Sequence, residues 1–235
     1  MLSFLDPLRS LDAGGLTMWS VLLRMSVAMI CGGVIGVERE YKRRPAGFRT
    51  HILICLGAAV TTMTSQYLYL NMKLYTDMAR LGAQVIAGMG FIGAGTIIVT
   101  KQRQVKGLTT AAGLWTCAII GLASGAGYYE AAVIATLLIL LAETLFSKLE
   151  YYILATSRSV NVFMEYIDPE ALDSVLKLIK TSDIYILDLE ITKNGARTAG
   201  TSTAILSLQT TRRTNHEALL TEIARTEGIL SVEEL

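Results

Sequence analysis

The residues able to do chemistry in this chain are few, and their spacing is uneven. Glu38, Arg39, Glu40, Arg44, Arg49 and His51 crowd the join between two apolar runs, and Glu143 stands late in the last such run. An ionisable group inside a bilayer is costly to hold there, so each one is a candidate for function. The spacing predicts a hydrophilic cluster at one membrane face. Glu143 either lines a cavity there or pairs locally with Lys148. Arg24 and Gln84 fall at similar depths of two other runs and could meet; the alternative for Arg24 is to snorkel out to the headgroups.

Glycines form a second pattern. Gly32 with Gly36 and Gly121 with Gly125 repeat at four residues, and Gly88, Gly90, Gly93 and Gly95 crowd the third run. Small residues let helices approach closely in lipid, where no hydrophobic force drives association, so packing is the first reading. The functional alternative is that Gly90, Gly93 and Gly95 mark a locally unwound stretch presenting carbonyls to a cavity or an ion.

The same residues exclude several chemistries. Magnesium takes hard oxygen ligands in octahedral geometry and gives up water reluctantly. One deep carboxylate, Glu143, with Glu38 and Glu130 at the edges, is thin provision for a divalent-cation pathway. No cofactor is expected, and Mg2+, though possible, lacks a ligand set. The glycine-rich run has no Lys-Ser/Thr pair to make a phosphate loop, and His51 and His216 are far apart, so no catalytic residue or enzyme activity is expected. Cys31, Cys55 and Cys117 all lie in apolar runs, with no metal spacing and no disulfide scaffold. The basic stretch from Arg39 to Arg49 reads as a topology determinant that touches anionic lipid, and no nucleic-acid partner is expected.

These residues must be positioned by membrane helices. The 235 residues are 52% hydrophobic and 17% charged, with a mean hydropathy of +0.46, so lipid must solvate much of the chain. Apolar runs of spanning length occur near 17–37, 50–70, 80–100, 108–127 and 129–147, each near the roughly 20 residues that cross a bilayer. The last two are separated only by Gly125, Ala126 and Gly127 with Tyr128 and Tyr129; a tight turn with the tyrosines at an interface is the favoured reading, and one bent or re-entrant element the alternative. The connections holding Arg39, Lys42, Arg43, Arg44 and Arg49, and then Lys101, Arg103 and Lys106, face the cytoplasm by the positive-inside rule. Five spans put the N-terminus outside and the C-terminal part inside. Asp6 and Asp12 precede the first run, so it is expected to be retained as a span and not cleaved as a signal peptide.

A second region begins at residue 158, after a transmembrane region of 1–157. Residues 1–157 carry a net +5 and residues 158–235 a net −4. Val160, Val162, Met164 and Tyr166 alternate as a strand. Asp168-Pro169 is an N-cap followed by proline at the first helical position, opening a helix with Leu172, Val175, Leu176 and Ile179 on one face. Tyr185, Leu187, Leu189 and Ile191 alternate again. Asn194-Gly195 supplies a hairpin turn, and Ala204, Leu206 and Leu208 return. Thr214 with Glu217 reads as a capping box for a second helix, and a last strand starts at Ile229. The predicted fold is a membrane all-α bundle of about five helices plus an α+β ferredoxin-like βαββαβ domain.

Four ordered segments carry a family likeness. They are Gly32-Gly33-Val34-Ile35-Gly36-Val37-Glu38-Arg39-Glu40, Arg44-Pro45-Ala46-Gly47-Phe48-Arg49-Thr50-His51, Gly90-Phe91-Ile92-Gly93-Ala94-Gly95 and Gly107-Leu108-Thr109-Thr110-Ala111-Ala112-Gly113-Leu114-Trp115. Together they closely resemble the MgtC/SapB family of bacterial membrane proteins. The resemblance implies an inner-membrane protein tied to adaptation to low magnesium, with survival inside macrophages in pathogens, and a C-terminal ACT-like domain. It places the family's signature charges on Glu38, Arg39, Glu40, Arg44 and Arg49, and its polar start of the fourth span on Thr109 and Thr110. ACT-like domains commonly pair, so a homodimer is expected. The turn Ile167-Asp168-Pro169-Glu170 lacks the glycine of ligand-binding ACT domains, which favours partner docking over an amino-acid ligand.

Three functions fit these features. The first is a regulator of ion homeostasis that contacts another inner-membrane complex. The second is a cation or solute transporter with a cavity bounded by Glu38, Arg49, Gly93, Thr110 and Glu143. The third is a sensor that transmits ligand binding in the ACT-like domain through residues Lys148 to Arg158.

Overall fold

The computed structural model describes residues 16–75, 77–100, 104–155, 159–182, 184–193, 201–210 and 216–235. Two compact units emerge. One runs up to Val99 and again over Val105–Ser147, and the other comprises Thr100–Gln104 with Lys148–Leu235.

The first unit is helical. Helix α1 covers Met18–Tyr41, and Thr17 caps it by accepting the Ser20 N–H at 3.2 Å. Helix α2 covers Phe48–Leu70, α3 Arg80–Thr96, α4 Leu108–Gly125 and α5 Tyr129–Leu141. A π-helical turn over Ala142–Phe146 continues α5 into α6, Ser147–Ala155. Helix α2 packs against α1 and α4, and α4 also touches α1, α3 and α5.

Four stretches are long and apolar enough to cross a membrane: Met18–Tyr41, Phe48–Leu70, Leu108–Gly125 and Tyr129–Leu149. The expected span at 80–100 is shorter than anticipated. Helix α3 stops at Thr96 after 17 residues, which at about 1.5 Å each falls short of a hydrocarbon core of roughly 30 Å. The β-branched run Thr96-Ile97-Ile98-Val99-Thr100 explains the stop, because such side chains crowd a helix and suit a strand. Strands β1, Ile98–Val99, and β2, Val105–Lys106, pair antiparallel there. Gly107 then opens α4 with φ +98°, and a Cβ at this position would lie 2.0 Å from the Thr96 carbonyl oxygen. Only glycine fits such a turn.

The turn from α4 to α5 is as tight as expected, with Gly127 at φ +78°. Tyr128 is exposed, whereas Tyr129 is buried in the bundle.

The second unit has strands β3, Ser159–Tyr166, β4, Ile184–Lys193, β5, Ser202–Thr210, and β6, Ile229–Glu234, with α7, Pro169–Thr181, and α8, His216–Ala224. The sheet order is β4-β5-β3-β6, antiparallel throughout, which is the ferredoxin-like order. One core joins Val160, Val162, Met164 and Tyr166 of β3 to Leu206 and Leu208 of β5, to Leu172, Val175 and Ile179 of α7, and to Ile223 of α8. Asp168 Oδ1 accepts the Ala171 N–H at 2.9 Å, and Pro169 occupies the first turn of α7.

In β4 the alternation expected for Tyr185, Leu187, Leu189 and Ile191 is out of phase. Ile184 is buried, Ile186 and Leu189 pack on the core, and Tyr185 and Leu187 are exposed. A bulge between Ile186 and Asp188 inserts Leu187 and reverses the parity between the two halves of the strand. The hairpin residues Asn194 and Gly195, and Thr214 of the capping box, lie outside the described residues.

Candidate functional site

Glycine creates the frame that holds the polar side chains. A Cβ on Gly36 would lie 2.7 Å from the Phe48 Cα, and one on Gly32 would lie 2.8 Å from the His51 carbonyl oxygen. Those two glycines let α1 cross the start of α2 at backbone contact. Gly121 and Gly125 do the same for α4 against α2: their Cβ atoms would fall 2.4 Å from the Cys55 oxygen and 2.3 Å from the Ala59 oxygen. Both four-residue repeats therefore serve packing.

The third-run glycines behave differently. Helix α3 is continuous through Gly90, Gly93 and Gly95, so the unwound alternative fails. Gly93 packs on Ala111 at 3.4 Å, whereas Cβ atoms on Gly88, Gly90 and Gly95 would meet nothing within 4 Å.

Where α1 ends, this crossing draws together polar groups from α1, α2, α4 and the π turn. Arg39, 2% exposed, donates from Nη1 to Glu143 Oε2 at 2.5 Å and from Nη2 to Thr110 Oγ1 at 3.3 Å. Glu143 lies in the π turn, a wide helical turn often found at functional sites. Lys42 Nζ donates to the backbone carbonyl of Glu143 at 2.5 Å and pairs with Glu38 Oε1 at 2.5 Å. Glu38 Oε2 is buried with no hydrogen-bond partner among the described residues.

His51 completes the cluster. Its Nδ1 donates to the Gly47 carbonyl at 2.9 Å; a carbonyl can only accept, so Nδ1 carries a proton. The Nε2 atom is buried without a hydrogen-bond partner among the described residues, in a ring 1% exposed that feels the charges of Arg39, Glu143 and Glu38.

Glu40 has a different task. Its Oε2 accepts the Phe48 N–H at 3.2 Å, and so serves α2, whose N-cap Gly47 has no side chain to do so. A Cβ on Gly47 would meet that carboxylate and displace it. Arg44, Arg49 and Thr109 are exposed and take no part in the ion pairs, whereas Thr110 is buried. The local Glu143–Lys148 pair is replaced by the partner on α1. Lys42 is the member that sequence reasoning passed over, and its i,i+4 spacing from Glu38 was the available signal.

At the other end of the bundle, Arg24 is buried and does not snorkel. It donates to Gln66 Oε1 and, at 2.8 Å, to the carbonyl of Gly125, a free acceptor at the end of α4. Gln84 is exposed, and the expected meeting with Arg24 does not occur because α3 packs on α4 and α2.

Among the described residues no group of three or more His, Cys, Asp or Glu side chains could hold a metal ion. Four charges meet at the Arg39 end instead, two carboxylates and two cations, in ion pairs.

Residues 25–152 match the MgtC family. The chain belongs to that family. The matched stretch includes every member of the MgtC-family cluster described above. A Haemophilus influenzae protein is 33% identical over 222 residues, covering 91% of each chain. The "Putative magnesium transporter YhiD" of Escherichia coli is 39% identical over 134 residues, which are 55% of this chain and 62% of that one. The C-terminal domain of the MgtC protein from Mycobacterium tuberculosis aligns with 34% of this chain over 87% of its own length, at 17% identity and a TM-score of 0.29. The ferredoxin-like assignment rests on the strand order alone.

Proposed function

We propose that this MgtC-family protein is a non-enzymatic component of the bacterial inner membrane that supports magnesium or ion homeostasis by regulating another membrane complex. In this reading the N-terminus is outside, the C-terminal unit is cytoplasmic, and the protein works as a homodimer.

One observation carries the regulatory reading. The carboxylates available to a passing cation, Glu38 and Glu143, are already neutralised by Lys42 and Arg39 at 2.5 Å, and the buried Arg39 is held by Thr110 as well. A fixed guanidinium beside Glu143 repels a divalent cation, and stripping it away would leave an uncompensated charge in lipid. A sensor role finds less support. The N-terminus of α7, a natural anion site, is satisfied by Asp168.

The name of the Escherichia coli relative favours the competing reading, a magnesium transporter. Flux decides between them. Purified full-length protein in liposomes loaded with a magnesium-sensitive dye is expected to pass no Mg2+ above protein-free vesicles, while a magnesium channel in parallel vesicles does. Flux that Glu143→Gln abolishes would establish the transporter.

A further inference from the structure

The crossing of α2 and α4 holds a feature that neither the ion pairs nor the proposed regulation uses. Cys55 of α2 and Cys117 of α4 face each other with Sγ atoms 3.1 Å apart, and both are fully buried. Each thiol is aimed across the same interface. Cys55 Sγ–H reaches the Cys117 carbonyl at 3.1 Å, and Cys117 Sγ–H reaches the His51 carbonyl at 3.6 Å. Gly121, one turn beyond Cys117, lets α4 press against the Cys55 backbone, where its Cβ would fall 2.9 Å from the Cys55 Cα. The backbones of α2 and α4 therefore come close beside the thiol pair, and a disulfide needs close backbones, its Cα atoms usually about 4.4–6.8 Å apart. Closing the sulfurs to the bond length of about 2.05 Å requires a move of only about 1 Å.

We propose that Cys55 and Cys117 are a peroxide-sensitive dithiol that forms a disulfide between α2 and α4 inside the bundle. Hydrogen peroxide is small and uncharged, so it reaches a site closed to charged oxidants. One thiol attacks the peroxide, breaking the O–O bond to give a sulfenic acid and one water. The neighbouring thiol then attacks that sulfur, and the S–S bond forms as the second water leaves. Two electrons pass from the sulfurs to the peroxide oxygens, and the two thiol protons end in the two waters. Complete burial shields the thiols and slows the first step, whereas the fixed neighbour makes the second fast and blocks further oxidation.

Oxidation also reaches the polar cluster. The bridge removes the thiol donor from the His51 carbonyl and ties α2 to α4 one turn from His51 and two turns from Thr110. Cys31, a third buried thiol, belongs to the same core cluster and lies beside Thr136.

The test uses the full-length protein in its membranes, exposed to hydrogen peroxide, denatured in maleimide and read by intact and peptide mass. Wild-type protein should fall from three alkylable thiols to one, with a peptide bridging Cys55 and Cys117, and dithiothreitol should restore all three. Cys31→Ser should fall from two to none. Cys55→Ala and Cys117→Ala should each keep both remaining thiols. Three alkylable thiols after peroxide, a bridge that includes Cys31, or added oxygen with no bridge would each overturn the proposal. The wild-type reading needs no variant, so misfolding of a substituted chain does not obscure it.

Discussion

In the helical unit many of the residues buried at the helix crossings are small, Ala28, Cys55, Ala58, Ala59, Cys117 and Ala118 beside the larger Ile35, Leu114, Ile120 and Tyr129, and several glycines among them stand where a Cβ would strike backbone. In the C-terminal unit the same depth is filled by Val162, Met164, Ile179, Leu206, Leu208 and Ile223. Water explains the second list, because burying large aliphatic side chains is what stabilises a soluble sheet domain. Lipid explains the first. A large aliphatic side chain gains little by leaving hydrocarbon for a protein interior, so many stay on the outside of the bundle, and the closest crossings are left to small residues and polar ties. The exposed Leu53, Phe91, Leu137 and Leu138 on the helical unit fit this account.

The comparison can be broken most directly by enlarging one interior and trimming the other. Gly121→Leu should abolish the folded helical unit, since even its Cβ would lie 2.4 Å from the Cys55 oxygen; size-exclusion and thermal unfolding in detergent would show it. Leu206→Ala, the opposite change in the C-terminal unit, should cost about 2–5 kcal/mol and leave that unit folded but less stable. If both substitutions prove equally mild, the contrast between the two interiors is wrong.

The polar ties come next in size. Arg39→Leu alone should destabilise the bundle by up to about 3–5 kcal/mol, because Glu143 is left as a half-buried carboxylate without its cation. Arg39→Leu with Glu143→Leu should recover most of that loss, since an apolar pair of similar volume suits the site. A double-mutant cycle in detergent measures the coupling, and additive losses would mean that the two groups do not act as a pair.

The smallest effect is expected on α3. Gly90→Ala meets open space and should leave stability unchanged or raise it by about 0.5–1 kcal/mol, as alanine is the better helix former. Clear destabilisation in the isolated protein would show that a neighbour occupies this face.

Several features were legible in the residues themselves. The capping pair Asp168-Pro169 and the alternation of β3 marked the C-terminal unit, and the glycine repeats at 32/36 and 121/125 marked the crossings. The phase of β4 was not legible, because a bulge at Leu187 is set by pairing with β5 and leaves no period of its own in the sequence. The length of α3 was misjudged because hydropathy counts Ile98 and Val99 as membrane-like, while their β-branching ends the helix.

The sequence by itself determined the membrane character, the number of apolar runs to within one, the ferredoxin-like order and the list of charged residues near the helix ends. Each follows from local composition or period. Only the tertiary structure decided which charge meets which. Arg39 takes Glu143 from a helix more than a hundred residues away, Lys42 ties Glu38 to the same π turn, Glu40 turns aside to cap α2, and Arg24 finds Gly125 while Gln84 stays exposed. Pairing across helices depends on their rotation and crossing, and the glycines set both by letting backbones touch.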